Sequence, residues 1–395
     1  MSLYSVQSMD LRMLPDGLSG YQRVEERRKR VQEGLGIDLS SLQARESSLG
    51  RADEINCEQM IGHIPIPVGI AGPLRITLSD GSSTDCFLPL ATTEGALVAS
   101  VNRGCKALRE AGYVTTSSVH HGVTRSIAFK SVGQTPKALA AVIEKRTHEW
   151  KQVGESTSAH LVILGHDIDT DGAYVFLTLR CNTDEAMGMN MITLAAQAIG
   201  DWMAEHVEGC ALMTVAGNID SDKKPSVRTH DRGRGYESRA SAHIPNQILR
   251  TILKSSADSM YEVANAKLTS GSRIAGAIGK NLHAANIIAA LYLATGQDAA
   301  HTVEGSLTDT EVTADGEGIV MSVRCPAILV GVRGGGTALP AQKQALSLLL
   351  KPASTLHPCA KLAETIAAAV LAGEVSLLAA QASQSLASAH RDHGR

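Results

Sequence analysis

The sequence predicts an α+β fold, with a small ferredoxin-like unit inserted into a larger domain. Three observations lead there. Residues 126–216 alternate strand and helix patterns in the order β-α-β-β-α-β, which is the ferredoxin-like unit. Residues 60–74, "MIGHIPIPVGIAGPL", set three prolines and three glycines in an apolar run, so this stretch reads as an extended, closely packed loop rather than a helix. Beyond residue 273 the chain turns helical and ends Ala-rich, interrupted by one long apolar strand. Its 395 residues suffice for about two or three domains and a large core.

The elements follow in order. Residues 21–34 are strongly charged with sparse apolar positions, giving a surface helix or arm. In 90–112, Thr92 or Thr93 can cap a helix whose buried face is Leu97, Val101, Cys105 and Leu108, with Gly112 as its stop. "SIAFKSV" (126–132) reads as a strand. "TPKALAAVIEKRTHEW" (135–150) reads as a helix, with Thr135 as cap and Pro136 in the first turn. "AHLVILG" and "AYVFLTLR" are strands joined by the turn-rich "HDIDTDG". A long amphipathic helix over 185–207 and a strand "CALMTVAG" (210–217) complete the unit. Residues 273–305 are helical in their second half, 318–332 form a strand, "RGGGT" follows, and the helical end runs to Ala389 before a polar "HRDHGR".

Composition removes several classes of function. A net charge of −3 without a basic stripe leaves no electrostatic footprint for nucleic acid, and aromatics at 3% offer no stacking platform. The seven cysteines are scattered and form no C-x-x-C pair. Neither a disulfide framework nor a metal site is expected, and a reducing cytoplasm fits. No signal-peptide pattern opens the chain. The most apolar tract, 364–382, is interrupted by Glu374 and reads as too short for a membrane span. The glycine fingerprints of Rossmann and P-loop sites are absent, as are H-E-x-x-H and G-x-S-x-G.

What remains is a set of charged residues in apolar settings. "GNIDSDKKPSVRTHDRGRG" (217–235) crowds Asp222, Lys223 and Lys224 between glycines, either as a solvated loop or as a site. Glu94 stands at the start of an apolar helix, where a carboxylate is favoured by the dipole whether or not it has another role. Asp298 is a helix-end acid or a functional one, and His390 lies in the polar tail. The glycines at 334–336 are a weak phosphate-loop signal.

Taken in order, "HIPIPVGIAGPL", "LATTEGALVAS", "NRGCKAL", "EAMGMNM", "GN…DKKP", "NLHAANI", "GQDAA" and "GGGT" closely resemble the catalytic portion of class I 3-hydroxy-3-methylglutaryl-CoA (HMG-CoA) reductases, from about residue 50 to His390 and without the membrane anchor. The resemblance implies four-electron reduction of (S)-HMG-CoA to (R)-mevalonate and CoA with two NAD(P)H, in the mevalonate pathway of isoprenoid biosynthesis. It implies a catalytic set of Lys223, Glu94, Asp298 and His390. Arg125, Asp222, Lys224 and Asn286 would hold the HMG group, and Ser158, Met187, Gly188, Met189 and Asn190 the dinucleotide. It also implies a homodimer or larger assembly with shared active sites, contacting through "EQMIG" (58–62). The large domain would surround a central helix.

The implied organisation is a helical arm at 1–50, a large HMG-CoA-binding and dimerisation domain at 51–125 and 217–389, a small dinucleotide-binding domain at 126–216, and a flap at 390–395 carrying His390. The partners are HMG-CoA, mevalonate and CoA, with neither nucleic acid nor membrane among them.

Several positions depart from the family pattern. Ala159 stands where an arginine pairs with the 2′-phosphate of NADPH, which makes NADH a serious alternative cofactor, and His160 follows it. Glu185 replaces an aspartate, Ala216 a serine and Arg333 a small apolar residue. Ala266 stands beside Lys267 where a lysine is expected. Two alternative functions follow from these departures: NAD-dependent oxidation of mevalonate in the reverse direction, and a paralogue that binds CoA thioesters without turnover.

Overall fold

The computed structural model describes residues 10–351 and 353–383. His390 and the expected flap lie outside them. The chain is α+β. Its strands are β1 (Val68–Thr77), β2 (Ser83–Ala91), β3 (Val114–Ser131), β4 (Val162–Asp171), β5 (Tyr174–Asn182), β6 (Cys210–Thr214), β7 (Gly235–Pro245), β8 (Asp309–Ala314) and β9 (Gly318–Ile328).

The 18-residue β3 is shared between two sheets. Its first part, through Gly122, pairs antiparallel with β7 in a sheet ordered β2-β1-β3-β7-β9-β8. From Val123 onward it pairs antiparallel with β5 on one side and β6 on the other, while β4 adds beyond β5. The second sheet therefore runs β6-β3-β5-β4, the strand arrangement of a ferredoxin-like unit. Each sheet has its own core: Trp150, Phe129 and Ile199 are among the residues packing the second, whereas Leu88, Leu108 and Leu371 belong to the first.

Among the helices, α1 (Gly20–Leu35) opens on a capping box made by Ser19 and Gln22. Beyond two single-turn helices, α2 (Leu97–Ala111) buries Leu97, Val101, Cys105 and Leu108 as its spacing predicts, and stops at Gly112. It starts later than expected. Thr92 Oγ1 accepts the Glu94 N–H at 3.0 Å in a tight turn, and Ala96, with φ +69° and no capping side chain, precedes the first helical residue. Neither Thr92 nor Thr93 caps the helix, and Glu94 lies in a bend before it.

The helix expected over 135–150 is two, α3 (Pro136–Lys145) and α4 (Thr147–Glu155), broken at Arg146. Thr135 caps α3 through the Ala138 N–H. The long helix α5 (Met189–His206) starts only after Gly188, which takes φ +90°. Residues 60–74 are not a loop throughout: β1 begins at Val68, and its pairing with β2 slips between Ala71 and Leu74, around Gly72 and Pro73. A proline inside a paired strand is accommodated at such a bulge.

After α6 (Ala284–Thr295), α7 (Pro358–Ala382), the last helix among the described residues, runs through the first core. At 25 residues it is long and apolar enough to cross a membrane, contrary to the expectation that the tract is too short, but 94% of its most apolar window is buried inside the fold. Two carboxylates on it are fully buried, and both are saturated with donors, as burial of a charge requires. Glu364 accepts from Ser79, Thr116 and Ser118. Glu374 accepts from the Leu282 and His283 N–H groups and from Thr310.

Candidate active site

The loop between β6 and β7 carries Asn218, Ser221 and Lys223 at φ +70°, +50° and +59°. Left-handed backbone costs an L-residue roughly 1–2 kcal/mol, so three such residues in one loop need external ties. Gly217 N–H donates to Ser126 O at 2.7 Å, while within the loop Lys224 N–H donates to Ser221 O at 3.1 Å. The decisive tie is at the centre: Lys223 N–H donates to Glu304 Oε1 at 2.7 Å. That contact sets the Lys223 side chain, whose Nζ lies 2.8 Å from Asp298 Oδ2.

Asp298 comes just after α6, where Gly296 in the left-handed region ends the helix, and its carboxylate also accepts the Ala300 N–H at 3.0 Å. The hydrogen bond with Asp298 raises the Lys223 ammonium above its ordinary pKa, against the opposing effect of burial. For Asp298, burial pushes upward, but the Lys223 hydrogen bond, the Ala300 N–H and His301 together hold the carboxyl below the usual range. At neutral pH the pair is ionised on both sides.

Behind it lies a buried network. The Arg234 guanidinium, 1% exposed, reaches Glu304 Oε1 at 2.6 Å and Asp222 Oδ1 at 3.1 Å, Thr124 Oγ1 at 2.8 Å and Met189 Sδ at 3.2 Å. His301 is fully buried, its Nδ1 3.3 Å from Glu304 Oε1. Arg125, on β3, lies 3.5 Å from Asp220 and from Asp222, and burial pushes the Asp220 carboxyl up. Asp222, His301 and Glu304 converge closely enough to suggest a metal site. Arg234 already bonds both carboxylates, which puts a fixed cation where an ion would sit, so the donor set does not fit a metal.

Of the residues singled out in the sequence, the structure gathers Lys223, Asp298, Asp222 and Arg125, and holds Lys224 Nζ on the Asp222 carbonyl at 3.0 Å. It does not gather all of them. Glu94 is exposed and, among the described residues, makes no hydrogen bond or ion pair with Lys223 or Asp298. Asn286 is half-buried on the first turn of α6, also unconnected to the pair. Sequence reasoning missed Arg234, Glu304, His301 and Asp220. One signal was available: Asp298, His301 and Glu304 recur at three-residue spacing, which places them on one side of a helical stretch.

The second cluster is the turn from Thr183 to Gly188 before α5. Met187 and Gly188 are half-buried, Met189 is buried and Asn190 exposed. No side chain caps α5, so its first N–H groups are open to an anion. Ser158 Oγ accepts the His160 N–H at 3.2 Å, and the His160 ring meets Asp184, 3.1 Å away.

The loop 331–333 docks on this turn. Glu185 O accepts from Val332 N–H at 2.8 Å and Arg333 N–H at 3.2 Å, and a Cβ on Gly331 would stand 2.5 Å from Met187 N. Gln297 holds Gly331 from the other side through both its amide groups. A short chain of contacts thus joins the turn to Asp298.

Two departures prove to be partners: Arg333 Nε lies 2.7 Å from Glu185 Oε2. Ala266 and Lys267 are both exposed in a π-helical segment, Asn265–Gly271.

The model of the family described as hydroxymethylglutaryl-coenzyme A reductase matches residues 23–395. The chain is 38% identical to the 3-hydroxy-3-methylglutaryl-coenzyme A reductase of Pyrococcus horikoshii, over 94% of this chain and 91% of that one. It is 37% identical to the reductase of Halobacterium salinarum over 99% and 97%, and 35% identical to reductase 1 of Dictyostelium discoideum over 94% and 68%. Among solved structures, a class II reductase from Streptococcus pneumoniae bound to NADPH in open conformations superposes with a TM-score of 0.66, at 19% identity and over 90% and 96% of the two chains. That likeness is one of fold.

Proposed function

This chain belongs to the hydroxymethylglutaryl-coenzyme A reductase family, and we propose that it reduces the thioester of (S)-HMG-CoA to the primary alcohol of (R)-mevalonate, releasing CoA. The observation that carries the proposal is the Lys223 ammonium, fixed 2.8 Å from Asp298 on a loop clamped by Glu304. Reduction of a thioester, and then of an aldehyde, builds negative charge on the carbonyl oxygen. A preorganised cation lowers the barrier because it needs no reorganisation as that charge develops. Lys223 is assigned that role, and Asp298 keeps its ammonium charged and aimed.

Arg125, Lys224 and Asn286 are assigned to the HMG group, whose far carboxylate suits two cations, with Asp222 ordering the loop among them. Glu94 is assigned as the acid that protonates the aldehyde oxygen, and His390 as the group that protonates the departing thiolate. A nicotinamide dinucleotide would supply two hydrides in succession. The residues of the second cluster fit such a group. No side chain caps the N-terminus of α5, and Cβ atoms built on Gly334 and Gly335 would meet nothing within 4 Å, leaving backbone open to a ligand.

We assign NADPH as cofactor, with NADH the rival because exposed Ala159 cannot pair with a 2′-phosphate. Separation of Glu94 from Lys223 supports a homodimer with shared sites. So does the apolar strip of Ile64, Ile66, Val68 and Ile70, exposed by 79, 37, 60 and 56%. A cytoplasmic enzyme of the mevalonate pathway is the setting that agrees with this chemistry.

The test is nicotinamide absorbance with purified protein, HMG-CoA and either dinucleotide. Oxidation of two dinucleotides per CoA released is expected. No oxidation with either, while HMG-CoA still binds, would replace the reading with a non-catalytic binder.

A further inference from the structure

We infer that Arg333, held in place by Glu185, supplies the guanidinium that grips a phosphate group of the dinucleotide. The inference rests on the dinucleotide reading of the 183–190 turn and adds a residue to it.

Arg333 contacts the turn twice, through its N–H on Glu185 O and through Nε on Glu185 Oε2 at 2.7 Å. Among the described residues, its two terminal Nη groups have no hydrogen bond or ion pair. The side chain is 76% exposed. An arginine tethered through Nε has its stem ordered while its fork faces outward, which suits two parallel hydrogen bonds to phosphate oxygens. The backbone beside it is equally open at Gly334 and Gly335, and the uncapped start of α5 lies on the same turn.

The charge balance agrees. Asp184, next to Glu185, is bonded first by His357 and then by His160, which hold its carboxyl below the usual range. With Asp184 and Glu185 both carboxylates on this turn, a phosphate approaching it meets repulsion unless a cation stands in front. Position 159 supplies none, because it is alanine; the two histidines are engaged by Asp184, and among the described residues Arg333 is the arginine tied to Glu185. Its tie is a glutamate one methylene longer than aspartate, and the two substitutions make a working pair.

The phosphate has two possible sources: the pyrophosphate common to both dinucleotides, or the 2′-phosphate of NADPH alone. Binding of NADPH and of NADH, followed by nicotinamide fluorescence without HMG-CoA, separates them in wild type, R333A, R333K and E185Q. R333A is expected to weaken NADPH binding roughly ten- to a hundredfold, the range of a charge-assisted hydrogen bond lost. R333K should retain more than R333A, and E185Q should lose less, because the fork is loosened rather than removed.

Wild-type affinity should also fall more steeply with salt than that of R333A, an effect that a merely structural arginine would not produce. An equal loss for NADH assigns the pyrophosphate, and an unchanged NADH affinity assigns the 2′-phosphate. If folded R333A binds both dinucleotides as tightly as wild type, the inference is overturned. Wild type that binds neither would instead remove the dinucleotide reading beneath it.

Discussion

Lys223 Nζ and Asp298 Oδ2 stand 2.8 Å apart, although neither residue is held by its own side chain alone. The backbone of Lys223 is fixed by Glu304 and the carboxylate of Asp298 by the Ala300 N–H. The ammonium is therefore aimed before any substrate arrives. Replacing Lys223 with alanine removes the fixed charge but leaves its N–H on Glu304. HMG-CoA turnover should fall by about 10²–10³-fold or more, while the thermal unfolding midpoint stays within a few degrees of wild type. Steady-state kinetics beside a melting curve would check this, and a variant retaining more than a tenth of wild-type kcat would remove Lys223 from the chemistry.

The same pair predicts a pH dependence. Lys223 has a raised pKa in the folded protein, so its contribution to stability is complete below the ordinary lysine value and is lost as pH rises through the raised one. Asp298 is depressed. Its contribution is present above the ordinary aspartate value and fades as pH falls through the lowered one. Both side chains are over a third exposed, at 42% and 35%, and screening keeps the contribution below about 1 kcal/mol. In D298N the lysine loses the partner that raises it. The alkaline limb of the kcat/KM profile should move to lower pH, and urea midpoints should lose the acid-side decline due to Asp298. Superimposable profiles for the two proteins would show that the pair is not coupled.

A larger stability effect belongs to Arg234 and Glu304, 1% and fully buried, at 2.6 Å. Breaking a desolvated pair strands the surviving charge and costs about 3–5 kcal/mol. E304Q keeps the shape but removes the shorter of the two carboxylate contacts of Arg234, leaving Asp222 at 3.1 Å, and it weakens the acceptor of the Lys223 N–H, so the low end of that cost applies. Urea denaturation should register a loss in that range, with turnover falling as the loop loosens. A loss below about 1 kcal/mol would mean that water reaches the pair.

Much of the inserted unit was legible because its signals are local: Thr135 and Pro136 mark a helix start, and "AYVFLTLR" reads as a strand from composition alone. β7 was not legible. The positions it turns to the core are Tyr236, Ser238, Ala240, Ala242 and Ile244, and the middle three are small or polar, so hydrophobic alternation is muted. β1 hid behind its proline and glycines, which belong to a bulge. The start of α2 was misread because Thr92 bonds the next turn rather than the helix. In the site, Lys223, Asp298 and Asp222 stood out by motif. Arg234 and Glu304 did not, since a "GRG" and a lone glutamate acquire meaning only when 70 residues of separation collapse into one salt bridge.

The placement of Glu94 leads to the last prediction. It is exposed, in a bend before α2, and among the described residues it is bonded only through its N–H to Thr92, which leaves its carboxylate available to a site that its own chain does not complete. If two chains pair across the apolar strip that includes Val68 and Ile70, each site takes Glu94 from one subunit and Lys223 from the other. E94Q alone should then be folded and nearly inactive, as should K223A. Co-expressed in equal amounts, they would form mixed dimers in which one site carries both defects and the other none. Random pairing makes half of all dimers mixed, with one sound site in two, so about a quarter of wild-type specific activity should return. No recovery from a mixture verified as heterodimeric would place Glu94 and Lys223 in the same subunit's site, and the bend before α2 would then have to move to bring them together.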